Sequence, residues 1–367
     1  MNRKRVLFVL PSLAGGGAER AASLLLQHLD RQKFDSFLAV FQDRFDYPVP
    51  EDVMVTCFHK SGTYGLFRLI WQLKRVYEEE KPDTVVSVMI YANLFSIVAK
   101  KLSRAKPQIL LTEQNMSSIG RGQGFLSPLK SWAIPLLYSK ADGIICVSRG
   151  VAEDLVTQFK VPRQKIKVIF NPVDIEHVSS LVDEEVDHPY FTSKETPIII
   201  AMGRLVVAKG YPYLIKAFAQ VVAQFPCRLI ILGDGKEKEA LQKLVRHLGI
   251  ERWVDFLGFQ KNPFKYLAQS DIFVLSSLWE GFPLAIMEAM ACGIPVVSTR
   301  CPSGPDEIIT NGVNGLLAPV ADDTELAVAL LRLLNDRSFA RRLAQAGRQR
   351  VEDFTVAKIT QEYEALF

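Results

Sequence analysis

Residues 6–20 read VLFVLPSLAGGGAER: an apolar run, a proline, three glycines in a row and the start of an amphipathic segment. Three readings compete. With Arg3, Lys4 and Arg5 in front, the run has the look of a secretory signal. It also fits a strand and glycine turn for a dinucleotide, or the same device for some other phosphate. Pro11 and Gly15–Gly17 interrupt the apolar stretch early. The continuation AERAASLLLQHLD (18–30) patterns as a helix that needs no removal, which argues against a leader. A dinucleotide fingerprint requires G-x-G-x-x-G and an acid soon after the second strand. Here the sixth position is Arg20, and Asp43 comes late. What is left is a strand, a glycine turn and a helix, with the amides of Gly16 and Gly17 open to a phosphate. A tight turn with no ligand also accounts for this stretch.

Outward from it the pattern repeats. Strand-like runs are RVLFVL (5–10), SFLAVF (36–41), DTVVSVM (83–89), QILLT (108–112), GIICVS (143–148) and IKVIF (166–170). Helical patterns lie between them at 17–29, 66–80, 92–103 and 126–140. Residues 175–196 are polar and acidic and read as a linker. The alternation restarts with PIIIAMGRL (197–205), RLIILGDG (228–235), WVDFLGF (253–259), DIFVLSS (271–277) and IPVVST (294–299). Helices are predicted at about 209–223, 236–248, 283–291 and 322–334. Alternation of this kind implies βαβ units and parallel sheets. The predicted organisation is α/β with two doubly wound domains, 1–170 and 171–345, and a terminal helix 346–367 free to cross back to the first. Ligands of such sheets sit beyond the carboxyl ends of the strands.

The chain has 367 residues, 49% hydrophobic and 23% charged, the composition of a soluble globular protein. The net charge of +4 conceals an asymmetry: residues 1–170 carry 24 basic and 15 acidic side chains, and the remainder 20 and 25. A first half at +9 suits anionic lipid or phosphate, although a scattered basic surface fits equally. The five cysteines are widely spaced, with no C-x-x-C and no histidine cluster, so free thiols in a reducing cytosol are expected. No uncharged apolar run reaches the roughly 18 residues of a membrane span.

Two segments of the second half carry chemistry. MGRLVVAKG (202–210) sets Arg204 and Lys209 between a strand and a helix. Two cations there can clamp a diphosphate, Arg with a planar fork and Lys as a point charge. A solvated basic loop explains them too when they are taken alone. WEGFPLAIME (279–288) sets Glu280 before a turn and Glu288 within a helix, with Gly281 giving backbone room and Pro283 in the first turn. The free amides of 282–284 then face an anion or a sugar hydroxyl.

Taken together, GGGAER, GRLVVAKG, ILGDG, FLGF, the E-x7-E of EGFPLAIME, MACGIPVVST and NGVNGLLAPV resemble the retaining glycosyltransferases of family 4 over nearly the whole chain. The resemblance implies the GT-B fold, two facing Rossmann-like domains with a cleft between them. It implies that Arg204 and Lys209 stabilise the leaving diphosphate and that Gly16 and Gly17 offer it amides. Glu288 would hold the ribose. Glu280, with Gly281, Phe282, Pro283 and Leu284, would grip the transferred sugar. Gly203, Gly233, Gly235 and Gly258 would line the nucleotide pocket. The donor is then a nucleotide sugar carrying a hexose or an N-acetylhexosamine, most simply a UDP-sugar, with UDP-N-acetylgalactosamine the leaning. No cofactor and no metal are expected, since fixed cations and helix dipoles can neutralise the leaving group and no D-x-D anchor occurs. Rival readings are a sugar-nucleotide epimerase of the same shape, a nucleotide-sugar binding module, and transfer to a soluble acceptor.

One departure concerns the acceptor side. Where many family members carry a histidine after the fifth strand, this chain reads LTEQNMS (111–117), with Glu113, Gln114 and Asn115. Gln cannot act as a base, so any acid–base role there falls to Glu113; a purely structural carboxylate is the alternative. FLSPLKSWAIPLLYSKADG (125–143) is apolar and flanked by Arg121, Lys130 and Lys140, with Trp132 at its centre. Similar segments in the family's lipid-linked-sugar enzymes lie at the membrane or acceptor side, and a core helix would look much the same. KNPFKYLAQSD (261–271), CPSGPDEII (301–309) and LLYSKADGII (136–145) most resemble bacterial enzymes adding N-acetylgalactosamine to undecaprenyl-diphosphate-linked oligosaccharides, and that narrower similarity implies a polyprenyl-diphosphate-linked acceptor. It further implies a cytoplasmic, peripheral position on the inner face of an anionic membrane, and no nucleic-acid partner.

Overall fold

The computed structural model describes residues 3–58, 65–119, 127–193 and 195–367. The chain divides into two compact units: Met1–Pro172 with Val356–Phe367, and Val173–Thr355. Each is built on one wholly parallel sheet. The first holds β1 (Lys4–Leu10), β2 (Phe34–Val40), β3 (Met54–Cys57), β4 (Thr84–Val88), β5 (Gln108–Glu113), β6 (Gly143–Cys146) and β7 (Ile166–Val168), in the order β3-β2-β1-β4-β5-β6-β7. The second holds β8 (Ile198–Met202), β9 (Arg228–Leu232), β10 (Val254–Gly258), β11 (Ile272–Leu275), β12 (Val296–Thr299) and β13 (Leu316–Ala318), in the order β10-β9-β8-β11-β12-β13.

The unbroken apolar runs predict this arrangement. A strand covered by helices on both faces has no side for polar residues. Val6–Leu10 of β1 and Thr84–Val88 of β4 are buried at every position. Strand order reverses between β1 and β4 in one sheet and between β8 and β11 in the other. The loops after those strands therefore flank an opening at each sheet's carboxyl edge.

Several elements differ from the sequence expectation. β3 is an extra edge strand; its MVTC is short and half exposed, so it carries little apolar signal. Helix Arg149–Phe159 is also additional, begun by Ser148, whose Oγ accepts from the Val151 amide at 3.1 Å. The expected linker 175–196 contains helices Ile175–Leu181 and Pro189–Ser193. Asp174 caps the first of these, accepting from the His177 amide at 2.9 Å, and Val178 and Phe191 are buried. Residues 346–355 stay with the second unit, where helix Arg337–Val351 packs on helix Leu284–Ala291. Helix Val356–Glu364 packs on helix Gly17–His28 of the first unit. Cys146, Cys227, Cys292 and Cys301 are free thiols. Among the described residues, no helix is long and apolar enough to cross a membrane.

Candidate functional site

At the reversal of the second sheet, the loop after β8 brings Arg204 and Lys209, and the loop after β11 brings Glu280 to Leu284. The two loops are stitched together. The Leu278 amide donates to the carbonyl of Ala208 at 2.8 Å, and Ser276 Oγ to that of Lys209 at 2.8 Å. Gly210 lies at φ +61°, where a Cβ would collide with the Ser276 carbonyl. Lys209 Nζ reaches Glu280 Oε1 at 2.6 Å, with the two side chains 19% and 12% exposed. Ser277 Oγ donates to the same oxygen at 2.6 Å, and Thr299 Oγ1 holds the Ser277 carbonyl at 2.5 Å. Arg204, by contrast, is exposed and has no ion-pair partner among the described residues. These two loops thus present Arg204 unpaired and Lys209 fixed by a carboxylate.

Helix Leu284–Ala291 starts here without a side-chain cap, its N-cap being Pro283. Its first amides point past the strand ends, a partial positive charge with open donors. Phe282 packs edge-on against Phe354, ring centres 5.5 Å apart, which pins the turn. Ser303 Oγ donates to the Gly281 carbonyl at 2.8 Å, and a Cβ at Gly304 would come within 2.5 Å of Pro283 Cδ. Glu288 is 5% exposed in the second turn of the same helix. Burial, then the Glu288 charge, pushes the Cys292 thiol up to about 12.

The remaining glycines form the neighbouring wall. Tyr211 donates its hydroxyl to the Gly203 carbonyl at 3.1 Å, and burial, aided by the Glu280 charge, keeps that phenol neutral. A Cβ at Gly233 would collide with the same carbonyl, and one at Gly235 with the carbonyl of Leu205. The Gly233 amide donates to the Gly258 carbonyl at 2.7 Å. Gly258, at φ +70°, has nothing within 4 Å of a Cβ position; glycine serves there for conformation alone.

In the first unit, Gly16 is the N-cap of helix Gly17–His28 and gives no side-chain cap. The Glu19 carboxylate folds back over it, in the place a Gly16 Cβ would need. Glu113 closes β5 and is 3% exposed. Its Oε1 accepts from Asn93 Nδ2 at 2.9 Å and from the Tyr138 hydroxyl, and its Oε2 from Ser117 Oγ at 2.9 Å. Burial nonetheless outweighs these three donors and lifts the carboxyl above its ordinary value, with Asp154 adding to the rise. Gln114 is nearly buried and accepts from Asn171 Nδ2 at 2.9 Å, while Asn115 is exposed. Trp132 is 57% exposed on helix Ser127–Tyr138. Arg121 and the side chain of Lys130 lie outside the described residues.

Sequence reasoning missed Ser277, Thr299, Ser303 and Tyr211. The first two have a visible signal: apolar strands that end in hydroxyls, as in FVLSS and VVST, place donors at the carboxyl edge. Among the described residues, no three His, Cys, Asp or Glu side chains gather as metal ligands.

Residues 15–177 match the family described as Glycosyltransferase Family 4, and residues 182–350 match Glycosyl transferases group 1. A Campylobacter jejuni relative named N-acetylgalactosamine-N,N'-diacetylbacillosaminyl-diphospho-undecaprenol 4-alpha-N-acetylgalactosaminyltransferase is 29% identical over 359 residues, 96% of each chain. The lipopolysaccharide core biosynthesis glycosyltransferase LpsE of Rhizobium meliloti is 33% identical over 266 residues, 71% of this chain and 75% of that protein. Among solved structures, Anabaena HepE in complex with UDP superposes with a TM-score of 0.80 at 22% identity, covering 99% of each chain.

Proposed function

Because this chain belongs to the family 4 glycosyltransferases, we propose that it moves an N-acetylhexosamine, N-acetylgalactosamine foremost, from a UDP-sugar to a saccharide carried on a polyprenyl diphosphate. The observation that carries this reading is the carboxyl edge of the second sheet, where a free Arg204, a paired Lys209 and an uncapped helix start converge. Leaving of a nucleoside diphosphate builds up negative charge, and prepositioned donors are worth most where charge develops. Arg204 meets the diphosphate first. Lys209 follows by exchanging its Glu280 contact for phosphate, which frees that carboxylate to accept a sugar hydroxyl. The amides at 282 and 284 take further acceptors of the sugar, and Glu288 the ribose. Gly203, Gly233, Gly235 and Gly258 leave the backbone bare for the nucleotide. Gly16 and Gly17 offer amides to an anion at their own sheet once Glu19 withdraws.

Configuration is retained in this reading. The departing diphosphate and the incoming hydroxyl use the same face of the sugar, and no protein nucleophile is required. Arg204 and Lys209 do the work a metal would otherwise do, so turnover in excess EDTA should equal turnover without it. Loss on chelation with recovery on Mg²⁺ would reverse that assignment. Glu113 is enclosed and takes three hydrogen bonds, so its role here is to hold the loop carrying Gln114 and Asn115. The acceptor assignment is supported by the name of the C. jejuni relative, which specifies an undecaprenol diphosphate saccharide. The UDP assignment is supported by the UDP complex of the Anabaena neighbour. A peripheral position on the cytoplasmic face of a membrane follows from such an acceptor and from the exposed Trp132. The test is a panel of nucleotide sugars with and without an undecaprenyl-diphosphate-linked saccharide, read as nucleotide release and product mass. Acceptor-dependent release from UDP-N-acetylgalactosamine is the expected result. Release that ignores the lipid acceptor would overturn it.

A further inference from the structure

Helices Ile90–Leu102 and Ser127–Tyr138 lie side by side on the first sheet, and between their C-terminal halves is a pocket of about 410 Å³. Its wall is apolar, with Ile97, Ile109 and Leu137 among the lining residues, and Lys100, Lys101, Lys106 and Lys140 stand around it. The fold uses two of those lysines. Lys100 Nζ pairs with Asp142 at 2.6 Å. Lys106 Nζ donates to the carbonyls of Lys100 at 3.0 Å and Lys101 at 3.3 Å, closing the helix end. Lys101 and Lys140 are exposed and have no ion-pair partner among the described residues. Two unpaired ammoniums beside one apolar opening match a ligand with an anionic head and an apolar tail, the head staying at the solvent edge with the lysines and the tail in the apolar wall. On the same helix as Leu137, Trp132 and Leu136 stand one turn apart, 57% and 55% exposed. They continue the apolar opening outward, in the manner of a helix lying in a lipid interface.

We propose that this pocket takes an anionic phospholipid from the bilayer, one acyl chain entering between the two helices and the phosphate meeting Lys101 and Lys140. The site is at the amino ends of the strands, beside the start of β5, whereas the Gly16 and Glu113 loops leave the carboxyl ends. It is therefore a site of attachment, separate from those that bind sugar. The inference deepens the peripheral-membrane part of the proposed function and is tested without turnover.

Cosedimentation is measured with vesicles of phosphatidylcholine alone and with phosphatidylglycerol added. Wild type should bind only the second. A lysine near an anionic surface contributes roughly fivefold to partitioning, so Lys101→Gln with Lys140→Gln should lose roughly thirtyfold. Leu136→Ser should remove the part of binding that survives high salt. The control is Lys33→Gln with Lys160→Gln, exposed on the same unit, which should lose little. An equal loss in the control pair would overturn the pocket and leave general membrane attraction standing. No binding by wild type to either vesicle would overturn both. Release of wild type by inorganic phosphate at constant ionic strength would show that a bare anion, not a lipid, occupies the lysines, and would also overturn the proposal.

Discussion

Lys209 and Glu280 are 71 positions apart and meet at 2.6 Å, with Ser277 donating to the same carboxylate oxygen. Neither segment announces this pairing. It arises because strand order reverses between β8 and β11 and sets the two following loops edge to edge. Arg204→Ala and Lys209→Ala should each lower kcat by about 10²–10³-fold, the usual cost of one contact to developing charge. The far-ultraviolet spectrum should not change, and near-normal turnover in both variants would remove the leaving-group clamp. Glu113 offers a test of a different kind. Its carboxyl is raised above the ordinary 4.5, so the folded chain holds this proton more tightly than the unfolded chain does. The stabilisation is complete below pH 4.5 and is lost as pH rises through the folded-state value. Gln has no proton to lose, and the Ser117 hydroxyl can turn to accept from its amide. The stability of Glu113→Gln relative to wild type should therefore grow from about pH 4.5 toward neutrality, read from urea midpoints. A pH-independent difference would mean the carboxylate is ionised in the fold at no cost.

Elements show where a sequence speaks plainly and where it does not. β1, β4, β8 and β11 are legible because strands covered on both faces read as near-continuous apolar runs; the exceptions in β4, Thr84 and Ser87, are buried with hydrogen-bond partners in Gln108 and Ser96. β3 is silent because an exposed edge strand of four residues has no such requirement. Helices Ile175–Leu181 and Pro189–Ser193 are hidden among acidic residues; the few apolar side chains that dock them, Val178 and Phe191, matter only once a surface exists to receive them. In the candidate site the residue types and their order were legible as motifs. Of the hydroxyls that orient them, Ser277 and Thr299 were visible only as strand ends; the contacts that Thr299 and Ser303 make across loops were not legible. The glycines separate the two kinds of constraint. Gly258 has a positive φ in open space, so Gly258→Ala should cost only the left-handed conformation, about 1–2 kcal/mol. Gly233 faces the backbone of Gly203, which cannot turn aside as a side chain can. Gly233→Ala should cost more than Gly258→Ala and should also weaken nucleotide binding. Thermal midpoints and UDP titration of the two variants check both the order and the split; equal effects would show the Gly203 loop to be compliant.

At the scale of the whole chain, sequence order and structural unit part company at the end. Residues 173–355 form the second unit around a core of their own, in which Phe218, Leu229 and Leu330 are fully buried. The chain then returns, and Val356–Phe367 completes the first unit. Ile359, Tyr363 and Phe367 are 1%, 2% and 7% exposed within that unit's core. Phe367 meets Phe34 of β2 edge-on at 5.5 Å, and the Asp30 amide donates to Glu364 Oε1 at 2.8 Å. Burying a side chain of this size contributes roughly 1.5–3 kcal/mol, so the three together supply about 5–9 kcal/mol. That is an upper bound, because an unfolded chain already shields part of the same area. Even so reduced, it is comparable with the whole stability of an ordinary domain, about 5–15 kcal/mol. A chain ending at Thr355 should therefore lose the first unit while keeping the second. Hydrogen exchange followed by mass spectrometry reads the two sheets separately. Protection in β1, β2 and β4 should collapse, and protection in β8, β9 and β11 should persist. Intact protection in the first sheet would show that the returning helix only decorates it. Equal loss in both sheets would show that the second core does not stand by itself.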